Sequence, residues 1–295
     1  MAGSGWTTTA GLADSLDDIR SSARIVREYE GVMPQLVSKE TLGEGIGLSW
    51  QEITYAALTA QAITETTELD NPQQISDSLL TITPTVVGIE TFLTDRVRAR
   101  ISKKGFAKIG TLGQNAIQRK KDEDGLTILS SGATTSEPGA GATLTSGYIA
   151  AASYNITSNT TEPGQKPIRC VLHGFQLKDL FDELVAGIGT YVVVEGPSAR
   201  VFSNRFDLPV AGCEVYEDGN ISIDSSADAI GGVFAQEGII LVQGRAPRVI
   251  DVRNEKRGGG GNHVYHYDEY AYGERPSAAY GWVYRMKSDA TAPTS

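Results

Sequence analysis

The chain has 295 residues, 40% of them hydrophobic and 21% charged, with 33 glycines, which is enough for one large domain or two ordinary ones rich in turns. A net charge of −10 argues against a protein whose main business is gripping a phosphate backbone, since that requires clustered Lys and Arg. The two cysteines, Cys170 and Cys213, make no disulfide framework. Nothing approaches the ~18 consecutive apolar residues of a membrane span, and the first residues lack the basic and apolar regions of a leader. No membrane partner is therefore expected, and synthesis is expected in the cytoplasm.

Residues 1–11 are small and polar. Leu12, Leu16, Ile19, Ala23 and Val26 then recur at helical spacing, with Asp14 and Asp17 near the front and Arg24 and Arg27 at the back, as an amphipathic helix with a complemented dipole requires. Met33-Pro34 is expected to end it.

Between Gly43 and Leu93 stand seven carboxylates, Glu44, Glu52, Glu65, Glu68, Asp70, Asp77 and Glu90, and no Lys or Arg. Two extended runs, SWQEITYAALTAQAI and ISDSLLTITPTVVGIETFL, flank the polar tip TETTELDNPQQ, in which Asp70-Asn71-Pro72 is a turn former. The pattern predicts a long two-stranded hairpin, with Pro84 at an edge or strand start. Such a ribbon needs a surface to lie on. Directly after it come Arg96, Arg98, Arg100, Lys103 and Lys104. Patches of opposite sign can pair between copies of one chain and set their register; the plainer reading is that both are solvated faces.

Phe106, Ile109, Gly113, Ala116 and Ile117 then fall on one helical stripe, leaving Lys108, Arg119, Lys120 and Lys121 wet, and Gly125 is the expected stop of a helix of about five turns. After the loop SSGATTSEPGAGATLTSG, a helix is predicted over Leu144–Ile156, capped by Thr143 or Thr145. IRCVLHGF predicts a buried strand, and Leu177, Leu180, Phe181 and Leu184 a second helix. TYVVVEGP, LPVAGCEVYED, GVFAQEGIILVQG and PRVIDVRNE alternate short strands with turns, so residues 136–243 form an α+β domain with a mainly β tail. In HVYHYDEYAYGERP, period two places His263, Tyr265, Tyr267 and Glu269 on one face and Val264, His266, Asp268 and Tyr270 on the other. AYGWVYRMK closes the chain before a tail, SDATAPTS, expected to be disordered.

Enzyme chemistry finds little to stand on. Cys170 and His173 point to opposite faces of a strand-like run, so core packing is favoured over a nucleophile and base. His263 and His266 with Asp268 and Glu269 are split by strand parity, and no second cluster supplies further metal ligands. GAGATLTSG lacks the lysine of a phosphate loop. No cofactor is expected. Arg96–Lys121 holds nine basic residues that could touch DNA weakly and without sequence preference, though subunit contact is preferred.

The order LTITPTVVGIETFLTD into a basic turn, the helix FAKIGTLGQNAIQRKKDEDGLTIL, RCVLHGFQLKDLFDEL, and GIILVQGRAPRVIDVRNE with HVYHYDEYAYGERPSAAYGWVYRM resembles the major capsid proteins of tailed double-stranded DNA bacteriophages, whose fold is shared with herpesvirus capsid floors and encapsulins. The resemblance implies an α+β tailed-phage major capsid fold with an N-terminal arm (1–42), an extended β-hairpin loop (43–80), a peripheral domain with a long spine helix (81–135), an axial domain (136–243), and a return to the peripheral domain with a C-terminal tail (244–295). It implies a virion protein that assembles with itself as hexamers and pentamers into an icosahedral shell around DNA. In that family the extended loop lies over a neighbouring subunit, so Glu52, Glu65, Glu68, Asp70, Asp77, Arg96, Arg98, Arg100, Lys103 and Lys104 become the expected subunit interface. Some members cross-link a lysine of that loop to an asparagine of a neighbour; this loop has no lysine, so non-covalent contacts or a cement protein must hold the shell. With about 42 residues before the loop, scaffold is expected as a separate protein, beside a portal. The alternatives are an encapsulin-like cargo shell and a cytosolic hydrolase using Cys170 or His173.

Overall fold

The computed structural model describes residues 29–66, 72–100, 103–132, 134–160, 162–188, 209–256, 259–275 and 281–294. The expected helix over Leu12–Val26, the run TYVVVEGP and the tip residues Glu68 and Asp70 lie outside them. The chain forms two compact units. One is built from 31–85, 121–245 and 269–295, the other from 86–120 and 246–268.

The larger unit opens with α1 (Met33–Leu36), with Pro34 in its first turn. Pro34 thus starts a helix here, because that turn needs no N–H from it. β1 (Ser38–Thr41) follows, then a two-stranded ribbon of β2 (Trp50–Tyr55) and β3 (Asp77–Ile82). The unit takes the C-terminal part of α3 (Lys103–Ser131). After β5 (Thr134–Thr135) comes α4 (Ser146–Thr157), which buries Ile149, Ala152, Ser153 and Ile156, one stripe of the helix. β6 (Ile168–Leu172), α5 (Gly174–Ile188), β7 (Cys213–Glu217) and β8 (Asp228–Ala235) complete the α+β part, and β9 (Ile239–Gln243) follows. Near the end of the chain lies β12 (Val283–Asp289). The main sheet has the order β5-β12-β8-β6-β7. β6 is parallel to β7 and antiparallel to β8, so it is flanked on both edges, which its unbroken apolar run suits. Its core joins Leu144, Ile149, Ile156, Ile168, Cys170, Leu180, Val233, Trp282, Tyr284 and Met286.

Among the described residues the smaller unit is a sheet with two helical segments. β4 (Thr85–Thr94) and β10 (Arg248–Asn254) both pair with β11 (Gly261–Glu274), β10 antiparallel from Arg248↔Tyr267 to Asn254↔Gly261. α2 (Asp95–Arg100) and the first part of α3 complete it. The residues of β11 beyond Asp268 belong to the larger unit, where Tyr270–Glu274 pair with β9 and β9 pairs in parallel with β1.

Four further sequence expectations are corrected. The run after the ribbon tip is two strands, broken at Thr83-Pro84, and β3 and β4 join different sheets; Pro84, lacking an N–H, stands just before β4. The spine helix does not stop at Gly125 but runs 29 residues to Ser131, about eight turns. Gly125 serves close approach: a Cβ there would meet Met33 Cβ at 2.9 Å and the Tyr272 ring at 3.1 Å. Lys121 is not wet; it is 7% exposed, with its ammonium on Gln243 Oε1 and 4.8 Å over the Tyr270 ring. Finally, SDATAPTS begins inside β12, where Ser288 is buried, and Ala290 just beyond the strand is buried as well. Among the described residues no helix is long and apolar enough to cross a membrane.

Candidate subunit interface

Most residues of the ribbon are exposed. Its register, Trp50↔Ile82, Glu52↔Leu80 and Ile53↔Leu79 to Tyr55↔Asp77, sorts its side chains by parity. Trp50, Leu80 and Ile82 turn inward and pack with Leu42, Ile240, Val242 and Ala271. The opposite face carries the cross-strand pair Ile53 and Leu79, 54% and 58% exposed, with Tyr55 at 68%. Further out, Leu58, Ile63 and Ile75 are exposed as well. The chain is held across the ribbon by the Ser49 and Thr83 hydroxyls (2.7 Å), Ala56 N to Ser76 O (2.9 Å) and Thr59 N to Gln73 Oε1 (2.8 Å). An apolar face of this kind, uncovered among the described residues, is a candidate contact surface.

Of the expected acidic residues, Glu65 and Asp77 are exposed, while Glu68 and Asp70 fall outside the described residues. Glu52 is different. It sits on the inward face and is clasped by Arg275, Nε to Oε2 at 2.7 Å and Nη2 to Oε1 at 2.9 Å, while Arg275 Nη1 donates to Glu237 O at 2.8 Å. A two-pronged guanidinium–carboxylate pair fixes orientation as well as charge. Arg275 was missed in the sequence; the signal was Glu52 sharing the parity of Trp50 and therefore needing an inward cation.

On the basic side, Arg96 is exposed on α2. Arg98 and Arg100 lie on α2 and Lys103 and Lys104 open α3, but the side chains of these four are outside the described residues. α2 is anchored at its start: Arg253 donates Nη1 to Asp95 Oδ1 (2.8 Å) and Nη2 to Asp95 Oδ2 (2.6 Å), and Asp95 N donates to Gly260 O (3.0 Å). Asp95 in the first turn also suits the helix dipole.

The tyrosine-rich strand follows the expected parity. His263, Tyr265 and Tyr267 stack as a ladder, 5.8 Å between successive ring centroids, with Phe92 4.4 Å from His263. His263 Nδ1 bonds Glu90 and Nε2 lies 3.0 Å from Asn254 Nδ2. His266, on the other face, abuts Gly113 of α3, where a Cβ would meet the imidazole at 2.6 Å. The two histidines are thus on opposite faces, and no metal-ligating group is present among the described residues.

Cys170 and His173 are accounted for by the fold. Cys170 is fully buried, and burial, then Cys213 beside it, pushes its thiol well above the usual range, so no thiolate forms there near neutrality. His173 is the cap of α5. Its Nδ1 accepts from Phe175 N (3.1 Å), and Gln176 Oε1 reaches back to His173 N (3.0 Å), a capping-box arrangement. Burial lowers the imidazole's pKa, against an opposing pull from Glu217.

No known family profile matches the chain by sequence, and no curated protein does. Its structure is similar to the capsid of Ralstonia phage GP4, with 12% identity and TM-score 0.67, covering 100% of this chain and 97% of that one. The cyanophage Pam1 capsid matches at 10% identity and TM-score 0.67, covering 99% and 100%. The head of Helicobacter pylori bacteriophage KHP40 matches at 12% and 0.67, covering 92% and 95%. This chain has the phage capsid fold. The likeness runs over nearly the whole length of both partners, so the capsid fold accounts for both units as well as the ribbon.

Proposed function

We propose that this protein is the major capsid protein of a tailed bacteriophage, assembling with itself as hexamers and pentamers into an icosahedral shell around double-stranded DNA. The observation that carries the reading is the β2–β3 ribbon, whose outward face presents Ile53, Tyr55 and Leu79 to solvent within a fold otherwise seen in phage capsids. A two-stranded ribbon with an apolar outer face gains stability by lying on another copy. Many such contacts close a shell without any one being tight.

In this reading residues 1–42 are the arm, 43–80 the extended loop, 81–135 and 244–295 the peripheral domain, and 136–243 the axial domain. Glu65, Glu68, Asp70 and Asp77 of the loop face Arg96, Arg98, Arg100, Lys103 and Lys104 of a neighbour, while Glu52 orients the ribbon through Arg275. Because the loop has no lysine, the shell is held without a cross-link from that loop. The protein resides in the virion after synthesis in the host cytoplasm; scaffold, portal and cement proteins are its further partners, and packaged DNA touches it weakly. The raised thiol of Cys170 and the capping role of His173 speak against a hydrolase.

The test is electron microscopy with sedimentation of the protein expressed alone and with neighbouring genes. Shells, or rings of five and six subunits, are expected. A monomer under both conditions would overturn the reading, and closed shells carrying a protein cargo in place of DNA would redirect it to an encapsulin-like container.

A further inference from the structure

Where the chain enters the larger unit, two carboxylates lie together with no exposure to solvent: Asp122 of α3 and Asp218 of the loop after β7. Two anions in the same dry space repel, and a proton on one of them relieves that repulsion. Around the pair, the incoming backbone supplies donors. Met33 N donates to Asp122 Oδ1 at 3.0 Å and Val32 N to Asp218 Oδ2 at 3.3 Å. Asn220 bridges the two, its Nδ2 to Asp122 Oδ2 at 2.8 Å and its backbone N to Asp218 Oδ1 at 2.9 Å. Gly31 completes the seat, since any Cβ there would overlap the Asp122 carboxyl.

The charged groups facing the pair are few. From the incoming segment come only backbone amides, and from the loop only Asn220. On α3 the neighbours Lys121 and Asp124 are engaged by Gln243 and by the Tyr270 hydroxyl. Among the described residues no ion pair reaches Asp122 or Asp218, so nothing cationic offsets a second negative charge there.

We propose that Asp122 and Asp218 form a proton-dependent clasp that holds the entering segment, residues 31–37, against the spine helix and the loop after β7. With one proton in the pair, the two carboxyls can approach and both backbone amides find an acceptor. Without it, two buried anions repel and the segment is the part free to move away. Burial, then the neighbouring Asp122, raises the Asp218 carboxyl to about 7. In the opened state the carboxyl regains its ordinary acidity near 4. The closed state therefore holds the proton over a range where the open state has lost it, and opening becomes easier as pH rises through that range.

The test is hydrogen exchange by mass spectrometry on the full chain, following the peptide over 31–37 against one over β8 as internal reference. After division by intrinsic rates, protection of 31–37 relative to β8 is expected to fall about tenfold per pH unit between pH 5 and 7 and to level off above. Asp218→Asn, which keeps a neutral donor and acceptor in place, is expected to flatten the profile, as is Asp122→Asn. A flat wild-type profile would overturn the clasp, as would an unchanged slope in both variants. If neither variant folds, the wild-type profile alone decides.

Discussion

Glu52 and Arg275, 223 residues apart in the chain, meet in a bidentate ion pair at the root of the ribbon. Both are less than one-third exposed, so the pair is screened less than a surface bridge, and Arg275 also serves the Glu237 carbonyl. Arg275→Ala is therefore expected to cost about 1–2 kcal/mol and to speed proteolysis between residues 56 and 76, while Glu52→Gln does less. Limited proteolysis with chemical denaturation reads both.

The outer face of the ribbon is expected to matter for assembly and not for folding. An Ile53→Ser, Leu79→Ser double variant removes apolar groups that the subunit leaves in solvent, so its melting temperature should stay within a few degrees of wild type. Its shells should be lost or weakened in sedimentation. Intact particles would remove the ribbon from the interface.

Reversal of Arg96, Arg98 and Arg100 to Glu is expected to leave a folded subunit that does not assemble, because the charge complementary to the acidic loop has changed sign. Assembly of the wild type should also weaken with added salt, as the Debye length shrinks to about 3 Å at 1 M. Normal particles from the triple variant would leave the basic patch as a solvated face.

Two glycines give opposite predictions from the same kind of change. Gly231 lies in β8 where a Cβ would overlap the Val171 carbonyl and come 2.9 Å from Leu172 Cδ2, so Gly231→Ala should destabilise by about 2–3 kcal/mol. Gly110 in α3 has nothing within 4 Å of such a Cβ, and Gly110→Ala should stabilise by about 0.5–1 kcal/mol. Thermal unfolding of the two variants tests both signs.

The pair Asp122 and Asp218 also reaches global stability. A carboxyl whose folded pKa is raised, here by burial to about 7, keeps its proton while the unfolded chain has released it. Stability from this group is therefore greatest near pH 4 and declines up to about pH 7, by at most about 1.4 kcal/mol per unit. Unfolding of wild type and Asp218→Asn across that window should diverge on the acid side, where the wild type gains and the variant does not.

Much of this architecture was legible in the residues. The stripe Ile149, Ala152, Ile156 and the run IRCVL each have one periodicity and one place to go, and strand parity alone separated His263 from His266. What was not legible depended on partners distant in sequence. Gly125 reads as a helix stop until Met33 and Tyr272 are placed against it, and Lys121 reads as a solvated cation until Gln243 and Tyr270 arrive. The ribbon looked longer because Thr83-Pro84 does not interrupt the apolar pattern, although it moves the chain to another sheet. Of the residues proposed for the interface, Glu65, Asp77 and Arg96 are exposed, as their charge alone suggests. The inward clasp of Glu52 could not, since its cation stands beyond most of the fold.

The place of β12 between β5 and β8 sets a timetable for the ribosome. β6 and β8 are made well ahead of it, and about 54 residues separate Ala235 from Asp289. At ordinary rates of synthesis that interval lasts roughly 3–11 s. During it β8, apolar along most of its length, has an open edge where β12 will pair. Newly made chains thus pass through a stage in which that edge can pair with another chain before β12 covers it.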